Sequence, residues 1–481
     1  RVPSVIAGQR SCFGYKMEVS TRWKPSSHTP PSTVLSVTTS STELPPVGSR
    51  PQDKRSHLSL VTSSISAIDS PLRKLAESFN SLPEMDWLKE VVQPLPFKEW
   101  VSRYSLERRV QLEDAYARVQ ERGLLPFDAI VKNFLKIETS NNFTDPRNIS
   151  PRSDEFLATI GPYIAAIEQQ AHHAPFLVKG MTPLQRDDHM NCLLEYDNFI
   201  EIDFSRFDMT LSYDLLKNVE HTMLLAQFPE TEHPLFHQAM RMCLKTTGRS
   251  EYGTAYSIVG TRCSGDAHTS IGNGLLNRFA IYVCLQRIPS SAWCSFHEGD
   301  DGIIGIRHGY LDQVEYNLQF LTQLGLQAKI DVHKHLNDTS FCGRFLSDTD
   351  CKVRSYCDPL RSLSKFHTTC STGDEKALML AKSLSYYHTD GHTPVVGALT
   401  YALICILLKE VSPKRLGRAI AYGARNMPWY IQMSKLSVKD LLKGSFDMRV
   451  DNSLRAAFAY RTGISPRAQQ LYEAEYLSWI K

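Results

Sequence analysis

The segment FHEGDDGIIG, Phe296 to Gly305, crowds Glu298, Asp300 and Asp301 into four positions. Neighbouring carboxylates repel one another, so such crowding points to a bound cation rather than to packing. Trp293 to His297 and Gly302 to Ile306 read as short strands, and Gly299 supplies the unusual dihedrals of a tight turn between them. The acidic pair is therefore expected at the tip of a β-hairpin, although an ordinary Asp-rich turn shares that pattern. A second segment, EIDFSRFDMTLS, sets Asp203 at the end of an apolar strand, Phe199 to Phe204, with Asp208 five residues on. After Asp208 the apolar spacing turns helical (Leu211, Leu215, Leu216, Val219, Met223), so this carboxylate is expected near a helix start, where the helix dipole favours it. A strand-end Asp can face a hairpin-tip pair on a neighbouring strand. Together they would form an all-oxygen site suited to Mg²⁺. Two such ions about 4 Å apart stabilise the attacking and leaving oxygens of an in-line phosphoryl transfer.

A third segment, GTRCSGDAHTSIGNGLLNRF (Gly260 to Phe279), begins with a flexible loop at Ser264 and Gly265. Ile271, Leu275, Leu276 and Phe279 then give the apolar stripe of a helix, on which Thr269 and Asn273, four apart, share a face. Gly272 and Gly274 sit inside that helix, each at about 1 kcal/mol relative to Ala. A helix that keeps them is expected to have something pressed against its backbone.

The elements that must position these residues are legible in outline. Periodicity is helical, with loops, from about Ala67 to Leu135, then mixes short strands with helices from Asn198, and is mainly helical after Asp358. From Pro25 to Pro46, 16 of 22 residues are Ser, Thr or Pro, too little apolar surface to offset ordering entropy, so residues 1–65 are expected to be a disordered or linker segment. At 481 residues, 42% apolar and 22% charged, the chain can bury a large core. A net charge of +3 does not by itself imply a polyanionic partner. Eleven scattered cysteines argue for a reduced setting rather than a disulfide scaffold. The longest apolar run, Val395 to Leu408, is shorter than the roughly 20 residues that span a bilayer and is expected to be a buried helix. No signal-peptide layout opens the sequence, which begins at Arg1, so a fragment or a processed product stays open.

The ordered set DFSRFD, SGDAHTSIGN and GDD resembles motifs A, B and C of viral RNA-dependent RNA polymerases, nearest to positive-strand viruses of the tombusvirus-like, noda-like and flavivirus-like group. The resemblance covers roughly residues 132–346 and implies an α+β right-hand fold with a ferredoxin-like antiparallel palm sheet and mainly helical fingers and thumb. On that pattern residues 66–195 are fingers, 196–219 palm, 220–258 a fingers insertion, 259–350 palm and 351–481 thumb. It implies Asp203, Asp300 and Asp301 as ligands of Mg²⁺, with Mn²⁺ as a substitute. Asp208 and Asn273, with Ser264, Gly265 and Thr269 assisting, would recognise the ribose 2′-hydroxyl. VKNFLKIETSNNFTDPRNISPR resembles motif F, a basic roof over the triphosphate from Lys132, Lys136, Arg147 and Arg152. Lys329 in LGLQAKI is placed like the motif D lysine that protonates departing pyrophosphate. FCGRFL, Phe341 to Leu346, fits the motif E turn beneath the primer.

The implied activity is RNA-directed RNA synthesis. Its partners would be a single-stranded RNA template, the product duplex, ribonucleoside triphosphates, and other viral proteins and host membranes reached through a partner or an upstream segment. The implied location is membrane-associated replication sites in host cytoplasm. A reverse transcriptase shares the carboxylates, but Asp208 and Asn273 argue against it. A catalytically idle RNA-binding scaffold would have no use for all three. Structural zinc at Cys351, Cys357, His367 and Cys370 is not expected, because their spacing is not that of paired ligands. Lys414, Arg415, Arg418 and Arg425 with Trp429 and Tyr430 could hold a duplex, or form a solvated face over a small aromatic core.

Overall fold

A computed structural model describes residues 70–91, 93–138, 146–251, 253–423, 438, 442 and 445–480. The Ser/Thr/Pro-rich segment, part of the basic loop (139–145), and Arg425, Trp429 and Tyr430 lie outside them.

Eleven strands form three sheets among the described residues: β1 (Val131–Leu135), β2 (Asn148–Ile149), β3 (Asn198–Phe204), β4 (Lys245–Ser250), β5 (Ala255–Val259), β6 (Trp293–Glu298), β7 (Asp301–Ile306), β8 (Ala328–His333), β9 (Ser340–Phe341), β10 (Arg344–Thr349) and β11 (Lys352–Cys357). The central sheet runs β6-β7-β3-β8 with every neighbour antiparallel. Both of its faces are covered, which is why its strands read as nearly unbroken apolar runs. On one face Ile200, Ile202, Phe204, Ile304 and Ile306 pack with Ile271, Leu275 and Phe279 of the helix Thr269–Leu285. Each fully buried side chain of this kind contributes about 2–3 kcal/mol. On the other, Phe199, Phe296 and Ile303 meet Leu336, Phe341, Leu346 and Val353. The sheet β9-β10-β11 closes that second face, tied to β3 by Ser340, whose N–H donates to Glu201 Oε1 at 2.6 Å.

The sheet β2-β1-β4-β5 joins two segments far apart in sequence, with β1 parallel to β4. The expectation of helix up to Leu135 is corrected here. VKNFL alternates buried and exposed residues, which is strand patterning, and helix ends at Arg122. Beyond β11 the described residues are mainly helical, with Pro359–Phe366, Glu375–Asp390, Val396–Leu407 and Pro413–Gly423 packed around Phe366, Leu380, Leu384, Leu403 and Ile404. The apolar run from Val395 is thus a buried helix of this core. No helix among the described residues is long and apolar enough to cross a membrane.

Candidate active site

Asp203 ends β3, and Asp301 begins β7. The ladder pairs Ile202 with Gly302, so the next step outward sets Asp203 across from Asp301 on one face. Glu298 pairs with Asp301 on the same face, and Gly299 at φ +62° with Asp300 makes the two-residue turn. The hairpin and the strand-end carboxylate are thus arranged as the sequence implied. Burial, then the charges of Asp208 and Asp203, push the Asp300 carboxyl above its ordinary value. Asp301 is pushed up to about 6 by burial, then by Asp300, Asp203 and Glu298, with Arg186 opposing. On the far side of β3, Lys329 pairs with Asp203 in register, and its Nζ donates to Asp331 Oδ2 at 2.6 Å. That bond holds the ammonium pKa above its ordinary value.

The helix Thr269–Leu285 docks three polar side chains onto this turn. Ser270 Oγ donates to Glu298 Oε1 at 2.8 Å. Asn277, fully buried, directs its amide nitrogen at the carbonyls of Gly299 (3.3 Å), Asp300 (3.0 Å) and Asp301 (3.2 Å). One turn earlier, Asn273 Nδ2 donates to Asp208 Oδ1 at 2.7 Å, while Ser264 Oγ donates to Asp208 Oδ2. Asp208, Ser264 and Asn273 are thus one hydrogen-bonded group. Thr269 is placed differently, with its hydroxyl directed at the backbone carbonyls of Asp266 (2.8 Å) and Cys263 (3.1 Å), where it fixes the loop.

The two helix glycines have occupants. A Cβ on Gly272 would lie 2.2 Å from Glu220 Oε1, and one on Gly274 would lie 3.0 Å from Leu177 Cδ2 and 3.6 Å from the Gly299 nitrogen. Glu220 is buried, as is its partner Arg262, whose Nε also donates to Asn273 Oδ1 at 3.1 Å.

The basic segment divides. Lys132 is exposed on β1. Arg147 is exposed but engages Glu138 through two nitrogens, and Lys136 Nζ lies 3.5 Å from the same carboxylate. Arg152 does not belong with them. Its side chain is 2% exposed and reaches Asp266 Oδ1 (2.7 Å), the Ala129 carbonyl (2.7 Å) and Thr246 Oγ1 (3.1 Å). It locks the loop before the helix to the β1–β4 sheet. Among the described residues one His/Cys/carboxylate cluster has metal-ligand proximity, Cys243, Asp266 and His268, but Arg152 already neutralises that carboxylate.

A cleft of about 1150 Å³ is lined by Glu298, Trp100, Arg186, Cys342, Arg361 and Lys365, among others. Its walls carry both signs of charge.

The sequence model of a family described as RNA dependent RNA polymerase matches residues 64–380, more than half of the chain. The chain belongs to the RNA-dependent RNA polymerase family. Among its relatives, the RNA-directed RNA polymerase of Pariacoto virus is 28% identical over 278 residues, covering 56% of this chain and 28% of that one. That of Turnip crinkle virus is 27% identical over 269 residues, covering 52% and 34%. The chain therefore matches about a third or less of the length of these relatives. A crystal structure of an insertion-loop deletion mutant of a human picorbirnavirus RNA-dependent RNA polymerase is 15% identical, with a TM-score of 0.48 over 64% of each chain.

In this polymerase-family chain the residues that sequence reasoning missed are supporting ones. Asn277 carried a signal, being four residues beyond Asn273 on the same helix face. Glu220 and Arg262, 42 residues apart, carried none.

Proposed function

We propose that this chain carries the catalytic centre of an RNA-directed RNA polymerase, adding ribonucleotides to an RNA 3′-hydroxyl with loss of pyrophosphate. The observation that carries this reading is the junction of two groups: Asp203, Asp300 and Asp301 at one sheet end, and Asp208, Ser264 and Asn273 beside them. The carboxylates fit a divalent cation. They are all hard oxygen donors gathered at one end of the sheet, where burial and then their mutual repulsion push the Asp300 and Asp301 carboxyls above their ordinary values. Asp203, Asp300 and Asp301 would hold Mg²⁺, or Mn²⁺ in its place. When bound, such an ion lowers the charge on the triphosphate and makes the 3′-hydroxyl a better nucleophile.

The chain's own residues orient and select. Asp208 can accept from a ribose 2′-hydroxyl, and the second hydrogen of Asn273 Nδ2 can be donated to it. A deoxyribonucleotide would leave both without that partner, the kind of arrangement that discriminates strongly. Lys132, Lys136 and Arg147 would take the phosphates, the last two exchanging Glu138 for them. Gly265 lets the selecting loop pack against the backbone of Ser150 and Pro151. A Cβ there would lie 2.7 Å from the Pro151 nitrogen. Thr269 and Arg152 act on the loop's shape. Lys329 would leave Asp331 to protonate pyrophosphate. The central sheet and β9-β11 correspond to a palm, the β1–β4 sheet with its flanking helices to fingers, and the helices after β11 to a thumb. The cleft between them would carry template and product RNA, read through its backbone. Other viral proteins and host membranes are further partners on this reading, at replication sites in host cytoplasm.

The test is extension of an annealed primer on a single-stranded RNA template with Mg²⁺, comparing ribo- and deoxyribonucleotides. Extension confined to ribonucleotides is expected. Efficient deoxyribonucleotide use would indicate a reverse transcriptase, and RNA binding without extension would indicate a scaffold.

A further inference from the structure

We infer that Glu220 and Arg262 are positioning residues for sugar selection. Their buried ion pair holds Asn273, and through it Asp208, in the arrangement that receives a 2′-hydroxyl. This rests on the ribose-recognition reading above and extends it to two residues that touch no substrate.

Asn273 has a two-ended amide, and which end faces Asp208 decides what the pair can bind. Arg262 settles it from behind. Its Nε donates to Asn273 Oδ1 at 3.1 Å, which leaves the amide nitrogen to donate to Asp208 Oδ1 at 2.7 Å. One amide hydrogen is used there and the other remains for a ligand. The backbone N–H of Arg262 also donates to the Asp208 carbonyl at 2.8 Å, so one residue grips both members of the pair. Arg262 is held by Glu220, with Nη1 at 3.2 Å from Oε2 and Nη2 bonded to Oε1, the two side chains 2% and 1% exposed.

A buried ion pair is a poor source of stability, since apolar side chains of similar size can often replace it without loss. This one has instead been given a precise seat. Glu220 projects from an underwound helical turn, Leu216–Glu220, of the π type often found near functional sites. The helix opposite gives up a side chain at Gly272, where a Cβ would lie 2.2 Å from Glu220 Oε1 and 2.9 Å from Arg262 Nη2. Two separate features of the chain thus make room for a guanidinium whose Nε donates to Asn273.

The test uses the full chain and two variants. Arg262→Lys keeps the charge beside Glu220 but lacks the fork that reaches Glu220 and Asn273 together. The paired variant Glu220→Leu/Arg262→Met removes both charges, so neither is left buried alone, and it carries the test should Arg262→Lys fail to fold. The readout is kcat/KM for a ribonucleotide, its 2′-deoxy analogue and its 3′-deoxy analogue on a primed RNA template. The ratio of ribo to 2′-deoxy is expected to fall about tenfold, the effect of one lost hydrogen bond, with the ratio of ribo to 3′-deoxy unchanged. Asn273→Ala is expected to lower the 2′ ratio at least as far, with no further loss when Arg262→Lys is added. A wild-type 2′ ratio in both variants, alongside a lowered one in Asn273→Ala, overturns the positioning role and leaves the ribose reading standing. Equal falls in the 2′ and 3′ ratios mean general loosening and overturn it as well. An unchanged ratio in Asn273→Ala overturns the ribose reading and this inference together.

Discussion

Acidification should destabilise this protein steeply between pH 6.5 and 5, because of histidines buried behind the site. His221 is 7% exposed, and His268 and His297 are fully buried, with at least one ring nitrogen of each lacking a hydrogen bond. Burial is the first cause of their low proton affinity, which is about 3 for His221 and well below the ordinary value for the other two. Arg262 adds to it at His221 and His268, and Arg278 at His297. The unfolded chain takes up these protons below about pH 6.5 and the folded chain does not, so the stability is present above 6.5 and is lost as pH falls below it. Each histidine then costs about 1.4 kcal/mol at pH 5.5, and the three together about 4 kcal/mol. His189, His367 and His388 act in the same direction. Asp301, pushed up to about 6, opposes it by about 1 kcal/mol at most, and Asp187, Glu220 and Asp300, whose carboxyls burial also raises, act in the same opposing sense. Of a typical 5–15 kcal/mol, roughly, this is a large part. Urea unfolding followed by tryptophan fluorescence at pH 7.5 and 5.5 measures it, and His297→Leu should reduce the pH dependence by about one proton's share. Equal stability at the two pH values, or a slope untouched by His297→Leu, would refute the reasoning.

Other expectations follow from single contacts. Asn277→Leu removes the donor facing three turn carbonyls and should slow nucleotide addition about tenfold or more, by roughly 1–3 kcal/mol of lost turn restraint, with RNA affinity unchanged in filter binding; an unaltered rate would count against the clamp. Gly272→Ala should lower the melting temperature, because the new methyl group meets a carboxylate already fixed by Arg262. Arg152→Met leaves Asp266 buried alone and should cost about 3–5 kcal/mol of stability without raising the nucleotide KM of the folded fraction. Arg147→Ala should do the reverse, raising KM with little change in melting temperature; the opposite pattern in these two variants would reverse their assignment.

Much of the site was legible because its signals are local. A glycine before two aspartates between short apolar runs reads as a hairpin tip, and an aspartate closing an apolar strand marks the neighbouring strand end. Even the helix glycines announced a close approach, met in the fold by Glu220 at one and by Leu177 with the Gly299 backbone at the other. What stayed hidden depends on partners distant in sequence. Nothing near Arg152 says that Asp266, 114 residues on, will neutralise it, so it read as one more basic residue in a basic segment. Glu138 stood within that segment, yet its bond to Arg147 needs the fold of the loop to be seen. The helix reading of Val131–Leu135 failed because a five-residue strand is too short for its alternation to outweigh the helical periodicity before it.

The central claim is that Asp300 takes part in nucleotidyl transfer. Its most direct test is single-turnover pyrophosphate release on a primed RNA template with Mg²⁺, comparing wild type with Asp300→Asn and measuring RNA binding on the same samples. Asparagine keeps the shape of the turn but removes the charge, so release should fall by a factor of about 10³ or more, on the order of 4 kcal/mol of barrier, while RNA binding stays intact. Release at the wild-type rate would contradict the assignment of the acidic pair and the function built on it.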